Sequence, residues 1–152
     1  MAANTAPIFT DVPVVGGGIW TSSLTANTKS DGAATAIGTD MVKLFTAGSD
    51  GSFVNKIRIS PAASTAATAT TATVARFYIS TVTSGATTRT DTFPFAEIAL
   101  AAQTADQTTT AVSAFEVPCG FYIPTGYYIH ASMHHAAAAN TSWAMIVFGG
   151  HY

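Results

Sequence analysis

Charge is what this sequence has least of. Aspartate, glutamate, lysine and arginine together make up 9% of the 152 residues, against roughly 25% in an ordinary soluble domain. With so little like-charge repulsion to hold copies apart, the chain fits a place inside a larger assembly better than life as a dilute monomer. The basic residues Lys29, Lys43, Lys56, Arg58, Arg76 and Arg89 are scattered, and the net charge is −2. No basic patch exists to displace counterions from phosphates, so nucleic acid is not an expected partner. Lys56 and Arg58 stand two apart and share one strand face, which reads as a solvated face.

Cysteine is nearly absent. Cys119 stands alone, which excludes an intrachain disulfide and the disulfide-stapled class of small secreted domain. Long apolar runs are missing too: 48% of the residues are hydrophobic, yet none of the runs approaches the roughly 20 residues of a membrane span. No membrane partner is expected. The opening M-A-A-N-T-A-P-I-F-T-D-V-P has neither the basic stretch nor the apolar stretch of a secretory signal, so synthesis in a cytoplasm is the expectation. Gly16-Gly17-Gly18 lacks the lysine and following helix of a phosphate loop, and no G-x-S-x-G elbow is present.

What is there repeats with a period of two. Ile19–Thr25, Met41–Thr46, S-F-V-N-K-I-R-I-S from Ser52, V-A-R-F-Y-I-S-T from Val74, Thr92–Leu100, Thr108–Val117, Phe121–Ile123, Tyr127–Met133 and Ser142–Phe148 read as strands. They are rich in β-branched and aromatic residues and are split by Gly, Pro, Asp and Asn. Asp50-Gly51 suits a tight hairpin joining the second and third of them, with Phe53, Ile57 and Ile59 on one face of the third and Lys56 and Arg58 on the other. Pro94 marks an edge or a bulge. Ala62–Thr70, small in every side chain, reads as a loop leading into an extended segment. About eight or nine short strands without a helix give an all-β fold, a single antiparallel β-sandwich of jelly-roll type.

The first residues differ. Pro7 and Pro13 break regular pairing, Ile8, Phe9, Val12, Val14 and Val15 are apolar, and the triple glycine reads as a hinge. The division expected is an extended arm over residues 1–17 and a sandwich over 18–152. Pro7, Ile8, Phe9, Val12, Pro13, Val14 and Val15 are the candidate interface, reaching a neighbouring subunit.

Chemistry has few candidates. In Tyr127–His135, three of the four histidines fall within six residues. On a strand, His130 and His134 share a face but lie about 13 Å apart at about 3.3 Å per residue, too far for one zinc with ligands roughly 2 Å away. The expectation is imidazoles at an exposed or interfacial strand end, with no metal, no cofactor and no catalytic residue. A meeting of His130, His134 or His135 copies on a symmetry axis is the one route to a metal. Cys119 in V-P-C-G-F reads as an inert thiol. Asp91 with Glu97, and Asp106 with Glu116, show no convergent spacing. Trp20, Phe77, Tyr78, Tyr122, Tyr127, Tyr128 and Trp143 suit a core and interfaces, with a sugar platform as the alternative.

The run G-S-D-G-S-F-V-N-K-I-R-I-S, then A-R-F-Y-I-S-T, then F-E-V-P…I-P-T-G-Y-Y-I-H-A-S and the ending W-A-M-I-V-F-G-G-H-Y resembles small β-sandwich virion proteins of tailed bacteriophages. The likeness, over Gly38 to Tyr152, is to capsid decoration (cement) proteins, and it lies in strand order and turn positions. It implies a non-enzymatic protein, often a homotrimer, on the outer capsid surface where major capsid protein subunits meet, made in the host cytoplasm. The alternatives are a tail, baseplate or fibre component, a carbohydrate-binding module, and an enzyme.

Overall fold

The computed structural model describes residues 12–64, 68–105 and 111–152. Ten strands and no helix occur among them: β1 Val12–Thr21, β2 Val42–Thr46, β3 Ser52–Ala63, β4 Thr68–Ala69, β5 Thr73–Ser80, β6 Thr92–Leu100, β7 Thr104–Ala105, β8 Phe115–Ile123, β9 Tyr128–Met133 and β10 Thr141–His151. Eight of them build two antiparallel four-stranded sheets, in the orders β1-β10-β3-β8 and β2-β9-β5-β6, while β4 pairs with β7. The expected all-β sandwich is the fold observed.

The core is what the alternation demands. Trp20, Val54, Ile57, Ile59, Trp143, Met145 and Val147 of the first sheet meet Phe77, Ile129, Ala131 and Met133 of the second, all 1% exposed or less. Trp20 and Trp143 are register partners on β1 and β10, and the Trp20 indole donates to the His135 carbonyl at 3.1 Å. Burial of aromatic side chains this large, each with 150–250 Å² of surface in general, dominates such a core.

Several local expectations need correction. Asp50-Gly51 does form a turn, with Gly51 at φ 91°, but β2 and β3 belong to different sheets. The turn therefore carries the chain across the sandwich and does not close a hairpin. It is fixed by Gly51 N–H donating to Gly48 at 3.1 Å and Gly48 N–H donating to the Ser52 hydroxyl at 2.9 Å. Phe53 is not on the Ile57 face. The pairing of β3 shifts between Val54 and Lys56 against β8, and β10 jumps there from Lys56 to Val54. Asn55 is thus an extra residue that flips the alternation and sends Val54 to the core in place of Phe53. Pro94 sits on edge strand β6 at a shift in register, as its missing N–H requires.

The expected hinge lies inside a strand. Gly16, Gly17 and Gly18 pair with Val147, Ile146 and Met145. Their lack of a side chain serves a close approach: a Cβ on Gly16 would stand 2.5 Å from the Leu44 carbonyl, and one on Gly18 2.5 Å from Val42 Cγ1. Strand β1 thus presses directly on β2 where the two sheets close. Within the expected arm, the described residues Val12 to Gly17 belong to the sandwich; Pro7, Ile8 and Phe9 lie outside the described residues. Strand β1 ends at Thr21, where Leu24 N–H donates back to its carbonyl at 3.1 Å. Of the strand expected over Thr108–Val117, residues 108–110 lie outside the described residues, 111–114 are not in a strand, and Phe115 to Val117 open β8, which continues through the Phe121–Ile123 segment as one element.

Candidate interaction surface

The two outer faces of the sandwich are unlike. That of β2-β9-β5-β6 is covered by the long connection from Ser22 to Met41 and by the β5–β6 loop. Ala34, Met41 and Tyr78 form a second small core there, with Ile37 against it. The cover is tied down by backbone and side chain. Asn27 N–H donates to Met133 at 2.9 Å and Ala34 exchanges bonds with Thr87; the Thr87 hydroxyl donates to Gly32 at 2.7 Å, and Arg76 Nη1 to Lys29 at 3.4 Å. Arg76 Nε is held by Glu97 at 2.6 Å.

Nothing among the described residues covers the outer face of β1-β10-β3-β8. The strand alternation brings Val15 beside Phe148, Gly17 beside Ile146 and Ile19 beside Ala144. Val15 is 67% exposed, Ile19 56% and Ile146 37%. Across β3 and β8 the same face turns polar: Lys56 pairs with Glu116 at 2.8 Å, Arg58 is opposite Glu116, and the Lys56 ammonium also lies 5.8 Å from the Phe148 ring centroid. The Lys56 hydrogen bond holds the Glu116 carboxyl below its ordinary range. Four strands about 4.8 Å apart and about 3.3 Å per residue give a face of roughly 600 Å², close to the roughly 800 Å² per partner of a standard interface. Monomers rarely expose a contiguous apolar patch larger than a few hundred Å², and the apolar half of this face, about 300 Å², reaches that size.

Of the candidate interface residues, Val12, Pro13 and Val15 are exposed and Val14 is half-buried against the core. Val15 joins the uncovered face; Pro7, Ile8 and Phe9 remain outside the described residues. Sequence reasoning missed Ile19, Ile146 and Phe148. The signal was present in β10, where W-A-M-I-V-F is apolar on both faces although an edge-sheet strand facing water should alternate.

The histidines are not the exposed cluster expected. His130 is fully buried beneath the β5–β6 loop, with Nε2 2.8 Å from the Val82 carbonyl and no partner for Nδ1. Its ring stacks on Tyr128, at 6.1 Å between centroids, and Lys43 is its register partner on β2. Burial, with a smaller contribution from the Lys43 charge, pushes its pKa down, against the hydrogen bond to Val82. Strand β9 carries no charge on either face, the mark of a strand buried on both sides. His134 and His135 follow β9 with rings stacked 5.1 Å apart at 16°. Ring lone pairs lie in the ring planes, so two nearly parallel rings do not converge on one ion. His151 lies across the molecule, its Nδ1 2.6 Å from the Ser52 hydroxyl.

The other chemical candidates are engaged structurally. Among the described residues no three His, Cys, Asp or Glu side chains gather as a metal site. Asp91 accepts from the Thr88 hydroxyl at 2.7 Å and its amide at 2.9 Å, which lowers its pKa. Burial pushes the Cys119 thiol up to about 11. Trp20, Phe77, Tyr78 and Trp143 are buried and present no sugar platform; Tyr122, 51% exposed, packs its ring 5.6 Å from that of Tyr152.

The fold and surface together define an antiparallel β-sandwich with one clothed face and one that, among the described residues, is uncovered and half apolar. No family model matches the chain, and no curated protein matches it. Among solved structures it is similar to a chain of the T13 IBDV viral particle, at 14% identity and a TM-score of 0.32, over 99% of this chain and 35% of that one. The chain spans about a third of that neighbour's length, and a likeness this distant carries no weight for function.

Proposed function

We propose that this is a non-enzymatic structural virion protein that decorates a tailed-phage capsid and stabilises it by binding where major capsid protein subunits meet. The observation that carries the reading is the uncovered apolar half of the β1-β10-β3-β8 face, bearing Val15, Ile19, Ile146 and Phe148. A cement protein needs interface area and not chemistry, and the β1–β10 half of the face, free of Asp, Glu, Lys and Arg, costs little to desolvate.

The strand order supports the jelly-roll part of the expectation. Numbering the eight long strands in chain order, the sheets read 1-8-3-6 and 2-7-4-5, so the chain changes sheet at every step except between the paired strands 4 and 5 and returns its last strand beside its first. Jelly rolls serve viral capsids, but also lectins and cupins, so this is a fold-level analogy and the function rests on the face. Many copies on a shell allow each contact to be weak while the sum is strong, and a homotrimer on the outer capsid surface is the form proposed. Val12, Pro13 and Val15, with Pro7, Ile8 and Phe9 ahead of them, are the proposed clamp.

The test is mass spectrometry of purified particles, with copy number set against the major capsid protein, repeated with Ile19→Asp and Ile146→Asp. Hundreds of copies, lost from particles in the folded variants, support the reading. A handful of copies moves the protein to a tail or vertex, and absence from particles refutes it.

A further inference from the structure

The two sheets have four edges, and three are guarded. Strand β8 carries Pro118 and faces the Asn55 bulge, β6 carries Pro94 and a register shift, and β2 is five residues long, broken in register and bears Lys43. Such features are how sheets avoid recruiting further strands. Strand β1 has none of this strength of protection. It is ten residues long, pairs with β10 without a shift from Val12 to Thr21, and bears no charged side chain. Its single proline, Pro13, is second in the strand. Proline is tolerated where its nitrogen faces away from the neighbouring strand. By the alternation of an antiparallel ladder, Val15, Gly17 and Ile19 then also turn their N–H and C=O to the open edge. Beside that edge, where β1 lies on β2, runs an open groove of about 350 Å³ lined by Val14, Gly16, Leu44, Phe45 and His151.

The described chain begins at the first residue of this same strand. The eleven residues ahead of it, Met1 to Asp11, reach about 36 Å when extended at about 3.3 Å per residue, and the ten of β1 span about 33 Å. A fold back onto their own β1 would need a tight turn at Thr10-Asp11-Val12. Two-residue hairpins call for a Gly, as in Asn-Gly, Asp-Gly or Gly-X, and Asp11 is followed by Val12 with no glycine in the turn. Ile8, Phe9 and Thr10 have strand preferences, and Pro7 suits an added edge strand.

We infer that residues 4–11 of one copy add as an extra strand along the free edge of β1 in a second copy, with Ile8 or Phe9 seated in the β1–β2 groove. Main-chain hydrogen bonds would supply the pairing and the groove the side-chain selectivity, in an exchange of identical elements between protomers. The inference deepens the proposed function by naming a second copy as the occupant of the clamp, and it is tested on the purified protein without capsids.

The experiment places a photo-reactive benzoylphenylalanine at position 9 of the full chain, irradiates, and maps the cross-links, beside sedimentation of the full chain and of Ile8→Asp/Phe9→Asp. Expected are covalent products of doubled mass joining position 9 to residues 12–20 of β1 or 44–45 of β2. The double variant keeps the β circular-dichroism spectrum but sediments as a smaller species. Cross-links only within one chain, cross-links only elsewhere on the partner, a monomeric wild type at micromolar concentration, or an unchanged assembly in the double variant would each overturn the inference. A chain that exchanges arms but is missing from particles leaves the inference standing and removes the capsid role.

Discussion

Mild acidification should lower the stability of this protein through His130. The ring is fully buried, its Nε2 is 2.8 Å from the Val82 carbonyl, and its Nδ1 meets no partner. Because a carbonyl only accepts, Nε2 carries the proton and Nδ1 offers a bare lone pair. A second proton would add a buried charge without an acceptor. Lys43 of β2 faces the same ring as a further cation; Tyr128 and Tyr78, its β9 and β5 neighbours, supply no negative charge near neutrality. Burial accordingly depresses the folded-state pKa, while the unfolded chain titrates near 6.5. Above that value neither state is protonated and the stability is complete. As pH falls below it, only the unfolded state takes up the proton, so stability declines with a limiting slope of about 1.4 kcal/mol per pH unit. The decline stops once pH has passed through the folded-state pKa. Between pH 7.5 and 5.5 the loss has an upper bound of about 1.4 kcal/mol, and smaller if the folded ring titrates inside that window. The assay is urea unfolding at one fixed protein concentration and several pH values, comparing the wild type with His130→Gln. With urea slopes of about 1–3 kcal/mol per molar, the wild-type midpoint should move down by up to roughly 1 M more than that of the variant. Equal pH dependence in the two proteins would refute the reasoning, because His134, His135 and His151 are present in both.

Three further outcomes are expected. Gly16→Ala should cost about 1–3 kcal/mol by overpacking, since its Cβ would meet the Leu44 backbone carbonyl at 2.5 Å; a denaturation midpoint within error of wild type would show that β1 can lift from β2. Trp20→Ala should cost about 3–5 kcal/mol, because the ring is fully buried and its indole N–H is spent on His135; a folded Trp20→Ala protein that merely loses glycan binding would instead revive the carbohydrate module. Cys119, its thiol pushed up to about 11 by burial, should react with iodoacetamide at pH 8 roughly a hundredfold more slowly in the folded than in the unfolded chain; equal rates would mean that the thiolate forms freely.

The period-two pattern carried most of the fold because each long strand buries one face against the same core. What it did not carry was decided by single residues or by distant pairing. Asn55 reverses the alternation of β3 with no local signature, so Phe53 and Val54 exchange places. Asp50-Gly51 prescribes a turn but says nothing of whether the strands on either side of it pair, and here they join different sheets. The triple glycine is ambiguous by nature: the lack of a Cβ that makes a hinge also permits the contact with Leu44 and Val42 that β1 makes. Of the candidate interface, the exposed Val15 was legible as an apolar residue with no internal reason to be buried. Ile19 and Ile146 were not, because the face they share exists only once β1 pairs with β10. His130 was misplaced for a similar reason, since its cover comes from a loop some fifty residues away in sequence.

The division of charge between the two faces separates a docking surface from an accident of exposure. The clothed side keeps its ions for internal use: Arg76 bridges Glu97 and the carbonyls of Asn27 and Lys29, and Asp40 accepts from the amides of Thr35 and Ala36. On the uncovered side Lys56, Arg58 and Glu116 all fall on β3 and β8, and β1 and β10 carry none. An interface places charge at a hydrated rim and apolar side chains at its dehydrated centre. By that rule the centre lies over Val15, Ile19, Ile146 and Phe148, and the rim along Lys56 and Glu116. The Lys56–Glu116 pair is already closed within the chain at 2.8 Å, so a partner need bring no counter-charge to that pair, and Arg58 is left as the further cation of the rim. Selectivity must then come from shape and from the open backbone edge of β1, which borders the apolar half and not the charged one. Face and edge thus meet along one strand, and a partner that engages either is brought against the other.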